Sequence, residues 1–78
     1  MDEIRMALVG LGPRGTYTWL DVLQRMPGYR VTAICDPIPG LHERARSRLQ
    51  RPGEVNIYTR YEDVLADPNV DAVALTVR

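Results

Sequence analysis

Lysine is absent from this chain, and its ten basic residues are all arginines. Chemistry that needs a lysine as acid, base or Schiff-base former therefore cannot be carried by these residues. Cysteine is nearly absent: the single thiol, Cys35, excludes an internal disulfide and a cysteine-based metal cluster. Surplus charge is missing too. Ten acids offset the ten arginines, so the formal net charge is +0 and no electrostatic footprint for nucleic acid exists. No apolar run approaches the ~20 residues that span a bilayer, so no membrane partner is expected. The start, Met1-Asp2-Glu3-Ile4-Arg5, is acidic and flows straight into an apolar stretch. It does not resemble a secretory signal, and cytoplasmic residence is the expectation. Repeats, low-complexity tracts and linkers are lacking.

What is present is ordinary for a globular domain: 45% hydrophobic and 26% charged residues. At 78 residues there is room for one domain at most. A chain of this size buries only about 60% of its unfolded surface, so its stability is marginal.

Ile4 to Val9 is mostly apolar and ends on Gly10, which predicts a first strand. Pro13 suits the opening turn of a helix, where its missing N–H costs nothing. Thr16, Trp19, Leu20, Leu23 and Met26 then share one face at helical spacing, and Pro27-Gly28 ends the helix. Tyr29 to Cys35 is β-branched and apolar, a second strand with Asp36-Pro37 at its carboxyl end; Cys35 reads as a small buried strand residue. A second helix is expected from Ile38 or Pro39 to Pro52-Gly53, with Leu41, Ala45 and Leu49 on one face. Glu43, Arg44, Arg46, Arg48 and Arg51 read as its solvated face rather than a basic patch. Val55 to Tyr58 predicts a short third strand. Thr59-Arg60-Tyr61-Glu62 has capping-box spacing, which opens a short helix over Tyr61 to Ala66. Asp67-Pro68-Asn69 ends that helix, and Asp71 to Val77 is the fourth strand.

The fold class is therefore α/β: β-α-β-α-β-α-β with short connections, a parallel sheet with right-handed crossovers and the strand order 3-2-1-4. The fourth strand is apolar at nearly every position, as a strand covered on both faces is. The chain stops one residue later, which leaves a bare apolar edge. The expectation is that residues 1–78 are the N-terminal part of a doubly wound domain, truncated before strand 5. The alternative is a half-domain whose edge a partner covers.

Gly10-Leu11-Gly12-Pro13-Arg14-Gly15 sits between the first strand and the first helix, and Asp36 closes the second strand. An acid about 20 residues past such a glycine triplet reads as the phosphate-binding turn of a dinucleotide-binding βαβ unit. Each glycine has a reason. Gly10 permits the tight turn out of the strand, Gly12 lets a pyrophosphate approach the backbone, and Gly15 lets the helix pack closely on the sheet. The helix amino end points free N–H groups and partial positive charge at the phosphates. Pro13 offers no N–H, so the amides around Arg14 and Gly15 do most of the donating. The Arg14 side chain either adds a charge-assisted contact or faces solvent. Asp36 accepts from the adenosine ribose hydroxyls and repels a 2′-phosphate, which favours NAD over NADP. Pro37 and Ile38 border the adenine. His42 and Arg44, one to two turns into the second helix, can soften that preference; His42 reads as an exposed helix residue rather than a catalytic base. Tyr17 and Trp19 read as packing residues.

Val9-Gly10-Leu11-Gly12-Pro13-Arg14-Gly15, Val31-Thr32-Ala33-Ile34-Cys35-Asp36-Pro37, Tyr61-Glu62-Asp63-Val64-Leu65 and Asp67-Pro68-Asn69-Val70-Asp71-Ala72-Val73 span nearly the whole chain. Together they resemble the start of the glucose–fructose oxidoreductase / inositol dehydrogenase / rhizopine catabolism (Gfo/Idh/MocA) family. The glycine motif is common to many dehydrogenases; Asp-Pro after strand 2 with the acid-Pro run before strand 4 is more specific. The resemblance implies an NAD(P)-dependent oxidoreductase acting on a sugar, cyclitol or related polyol. A Rossmann domain would precede a substrate domain that often forms the homo-oligomer interface. It implies a catalytic lysine from a Glu-Lys-Pro segment after strand 5, with a later Asp and His, so no catalytic residue falls in this chain. By position, Thr76 matches the threonine at the end of strand 4, near the nicotinamide side. The family commonly has proline next, where this chain has Val77.

Three functions remain in play: the cofactor half of a hydride-transferring dehydrogenase, a non-catalytic NAD(H)-sensing module, and an NAD-dependent glycosidase of the same family. A methyltransferase also has a glycine turn and an acid after strand 2, but the Gly-x-Gly-x-x-Gly spacing argues against it.

Overall fold

The structure, a computed structural model, describes residues 3–76. Four strands form it: β1 (Ile4–Val9), β2 (Tyr29–Cys35), β3 (Asn56–Tyr58) and β4 (Ala72–Leu75). They make one parallel sheet in the order β3-β2-β1-β4. The chain is helical over 13–25, with Gly15–Trp19 wound as a wide π-type stretch that runs into α1 (Leu20–Arg25). Two further helices, α2 (Pro39–Arg46) and α3 (Tyr61–Leu65), complete the crossovers. The expected β-α-β-α-β-α-β order and sheet topology are both present.

Alternation along β1 sends Met6 and Leu8 to one face and Ala7 and Val9 to the other, as a sheet covered on both sides requires. On the first face Leu11, Leu20, Leu23, Val31, Ile34, Ala45 and Leu49 close a core beneath α1 and α2. On the second face Ala33, Cys35 and Val64 pack with Ala7 and Val9 beneath α3. Alanine and cysteine there keep that layer shallow enough for a helix of only five residues. Strand β2 carries one irregularity. Met6 pairs with Val31 but Ala7 pairs with Ala33, so Thr32 is an extra residue and Val31 and Ile34 share a face. The Thr32 hydroxyl donates to the carbonyl of Asn69 at 2.6 Å, which ties the bulge to the turn before β4.

That turn is fastened by two acids. Buried Asp67 accepts from Asn56 Nδ2 at 3.0 Å, Tyr58 OH at 2.9 Å and the Asn69 amide at 2.7 Å. The Asn56 and Asn69 bonds hold the Asp67 carboxyl below its ordinary value, and the bond to that carboxylate pushes the Tyr58 phenol up. Asp71 meets Arg5 in a two-pronged pair, Nε to Oδ2 at 3.0 Å and Nη2 to Oδ1 at 2.9 Å.

Several boundaries differ from expectation. The capping box does not form: α3 begins at Tyr61 as expected, but its cap is extended Arg60 rather than Thr59, with no side-chain cap bond. Glu62 instead takes Arg60, whose Nη2 lies 2.8 Å from its carboxylate. Helix α2 stops at Arg46, and Leu49 reaches the core from the turn that follows. β3 starts at Asn56 rather than Val55, and α3 ends at Leu65 with Ala66 as its cap. β4 covers Ala72–Leu75; among the described residues it is the last strand of the order and pairs with β1 alone, and Leu75 is 59% exposed. Val77, expected in that strand, lies outside the described residues.

Candidate functional site

β1 delivers the chain to Gly10, whose φ of 101° is a conformation that side-chain-bearing residues rarely adopt. A Cβ at Gly10 would also lie 2.7 Å from Thr76 Oγ1. A Cβ at Gly15 would run into the Gly10 carbonyl oxygen, so the helix start presses directly on the turn. Thr76 locks the arrangement. Its amide donates to the Val9 carbonyl at 2.8 Å, and its hydroxyl faces the carbonyls of Gly10 at 2.7 Å and Val9 at 3.2 Å. Gly12 is different: a Cβ there would meet nothing within 4 Å, so its backbone borders open space. Thr16 donates to the Gly12 carbonyl at 2.9 Å, which leaves the amides of Arg14 and Gly15 in the helix's first turn without an intrahelical partner.

Asp36 extends β2 by one bond, its amide donating to the Tyr58 carbonyl at 3.1 Å. Its side chain turns towards the glycine loop and is only 7% exposed. The Leu11 amide donates to Oδ2 and the Ile38 amide to Oδ1, both at 2.9 Å. A carboxylate oxygen has a second lone pair, so each keeps capacity for a further donor. Leu11 is itself fully buried, with its carbonyl accepting from the Thr16 hydroxyl at 2.9 Å. Its contribution to the site is to hold Asp36.

On the other side of the loop, towards β4, lies an open cleft of about 740 Å³ lined by Gly12, Pro13, Arg14, Gly15, Trp19, Leu75 and Thr76. Asp36 thus stands on the β2 side of the turn and the cleft on the β4 side. Arg14 is exposed at the cleft wall, and Pro37 and Ile38 are exposed beyond Asp36.

Three expectations are corrected here. Trp19 is not a packing residue: it is 47% exposed and lines the cleft. The reason is the π-type winding, in which Leu20 donates back to Gly15 and the helical face shifts, so Thr16, Leu20 and Leu23 go inward while Trp19 and Met26 do not. Tyr17 is also exposed, its ring covered by the guanidinium groups of Arg48 at 5.0 Å and Arg44 at 5.9 Å. His42 is half-buried rather than solvent-facing, with Nε2 2.7 Å from the Asp36 carbonyl oxygen. No spacing rule marks that contact in the sequence; it depends on how α2 returns over β2. Cys35 is buried as expected, and burial, then the neighbouring Asp36 charge, pushes its thiol up and away from reactivity. Among the described residues no group of three or more His, Cys, Asp or Glu side chains is placed to hold a metal, and no helix is long and apolar enough to cross a membrane.

A parallel 3-2-1-4 sheet with a glycine turn at the end of β1 and a carboxylate at the end of β2 defines the dinucleotide-binding Rossmann class of α/β proteins. Residues 4–78 match the Gfo/Idh/MocA family, described as an oxidoreductase family with an NAD-binding Rossmann fold, and the chain belongs to it. Among its curated relatives, a glycosyl hydrolase family 109 protein of Streptomyces niveus is 32% identical over 78 residues, covering 92% of this chain and 16% of the relative. An inositol 2-dehydrogenase/D-chiro-inositol 3-dehydrogenase of Lactiplantibacillus plantarum is 32% identical over 73 residues, covering 92% of this chain and 20% of the relative. Among solved structures, the WlbA dehydrogenase of Chromobacterium violaceum, in complex with NADH and UDP-GlcNAcA, superposes with a TM-score of 0.80 at 27% identity, covering 99% of this chain and 21% of that one. The chain thus spans about a fifth of the length of these proteins.

Proposed function

We propose that the intact protein is an NAD-dependent oxidoreductase that transfers a hydride between the nicotinamide cofactor and a sugar, cyclitol or related polyol. Residues 1–78 are the N-terminal part of its dinucleotide-binding domain. The observation that carries this reading is the Asp36 carboxylate, held against the glycine turn by the Leu11 amide, beside backbone at Gly12 that no side chain covers. The space at Gly12 fits a pyrophosphate, and the amides of Arg14 and Gly15 at the positive helix end suit its charge. Arg14 supplies a charge-assisted contact from the cleft wall, and Pro13 gives up no donor. Asp36 takes the adenosine ribose hydroxyls, with Pro37 and Ile38 along the adenine. Gly10 and Gly15 shape the turn, and Thr76 borders the nicotinamide half by fixing the end of β4 to Gly10. When bound, the nicotinamide supplies the hydride acceptor or donor. These residues bind and orient it, and the proton transfers belong to groups outside this lysine-free segment. The same reading makes the intact protein a cytoplasmic homo-oligomer assembled through its substrate domain, with a sugar-like substrate and no nucleic-acid or membrane partner.

Replacing Asp36 by alanine tests the cofactor assignment. Loss of charge-assisted bonds to the ribose, together with loss of repulsion towards a 2′-phosphate, should shift the NAD/NADP affinity ratio of the intact protein by at least about tenfold. An unchanged ratio in a cofactor titration would remove Asp36 from the site. The family 109 relative favours a second reading, an NAD-dependent glycosidase that oxidises and re-reduces its sugar transiently. Net NADH formation with polyol substrates identifies the dehydrogenase; glycoside cleavage without net NADH identifies the glycosidase.

A further inference from the structure

His42 makes a contact that neither the glycine motif nor the carboxylate at the end of β2 requires. Its Nε2 lies 2.7 Å from the main-chain carbonyl oxygen of Asp36. A carbonyl oxygen only accepts, so Nε2 carries the proton in this bond whatever the state of Nδ1. Beyond the ladder bond from its amide to Tyr58, Asp36 is then held from three directions. The glycine turn grips Oδ2 through the Leu11 amide, the loop into α2 grips Oδ1 through the Ile38 amide, and α2 itself grips the carbonyl through His42. The third grip acts on a different degree of freedom. Rotation about the Asp36 Cα–C bond swings the carbonyl, and with it the Pro37-Ile38 segment that carries the Oδ1 donor. Fixing the carbonyl fixes that rotation, and so holds the Ile38 amide where it grips Oδ1 and keeps the carboxylate in place.

We propose that His42 is a positioning residue for cofactor choice. By clamping the Asp36 carbonyl it holds the carboxylate where it accepts from an adenosine 2′-hydroxyl and repels a 2′-phosphate. This rests on the assignment of Asp36 as the ribose ligand. His42 touches no reacting atom; it acts through Asp36.

The test is the NAD/NADP affinity ratio of the intact protein, measured with both cofactors on the same preparations. His42→Leu keeps bulk and removes the N–H, and the ratio should fall roughly fivefold, the factor that one hydrogen bond of ordinary strength is worth. His42→Gln retains a side-chain N–H and should recover most of the ratio. His42→Asn, whose shorter amide falls short of the carbonyl, should behave like the leucine variant and replaces it if that variant does not fold. A purely structural role weakens both cofactors alike and leaves the ratio where it was. A wild-type ratio in His42→Leu or His42→Asn, in a protein where Asp36→Ala changes it, overturns the role of His42 and leaves the ribose assignment standing. A wild-type ratio in Asp36→Ala overturns the ribose assignment, and the role of His42 with it.

Discussion

Gly10 and Gly12 look equivalent in the motif and are not equivalent in space. Gly10 has a φ of 101° and its missing Cβ would press on Thr76 Oγ1 at 2.7 Å, whereas nothing lies within 4 Å of a Cβ at Gly12. Gly10→Ala should therefore destabilise the fold by about 1–3 kcal/mol, the usual cost of forcing a side chain into such backbone. Gly12→Ala should leave the unfolding free energy within about 1 kcal/mol of wild type while weakening NAD binding, because the added methyl occupies the space next to the backbone proposed to face the phosphates. Urea denaturation and a cofactor titration on both variants separate the two effects. Equal stability losses would mean that the open space at Gly12 is not real. The motif assigned both glycines to a turn, but only the contact with Thr76, 66 residues away, shows which one the fold cannot replace.

The connection from α3 into β4 is held by acids that sequence patterning reads only as a helix stop, Asp67, and as the first residue of the next strand, Asp71. Asp71 is the clearest: hydrogen bonds from the Arg5 guanidinium, then from the Arg5 amide, pull its carboxyl from 3.8 down to about 2. A carboxyl depressed on folding adds stability that is fully present above its unfolded value and is lost as pH falls through the folded one. Thermal unfolding followed from neutral pH downward should thus show this contribution fading between 3.8 and about 2, with a shallower acid limb in Asp71→Asn. An identical limb in the variant would show that the pair adds nothing, as many exposed ion pairs do not. The element itself was legible because Ala72, Val73, Ala74 and Leu75 form an apolar run after a Pro-Asn turn. Its partner was not, because Arg5 and Asp71 meet only after a crossover has brought β4 beside β1.

Taken as a molecule, the described residues build the side of the proposed cofactor site that would face adenosine and pyrophosphate but leave β4 paired on one edge only, with Leu75 and Trp19 open beside the cleft. The 78 residues produced alone should bind NAD weakly and catalyse no hydride transfer with any polyol. An NADH absorbance assay on the purified chain checks this, and substrate-dependent NADH from it would place catalytic groups within residues 1–78. Weak binding also follows from size: a domain that buries only about 60% of its surface has little stability to spare for ordering a loop around a ligand.

Order and kind of elements were readable residue by residue, because each depends on neighbours a few positions away: the glycine turn after an apolar run, Pro13 at a helix start, β-branched and apolar residues along β2, and an acid at its end. Long-range features were not readable. The π-type winding that turns Trp19 outward, the bulge at Thr32 and the His42 grip on Asp36 each arise where separate elements press together. Local propensity acts through the chain's own backbone and is written in short windows of sequence. Contacts such as these depend on the relative placement of whole strands and helices, which exists only once the sheet has assembled.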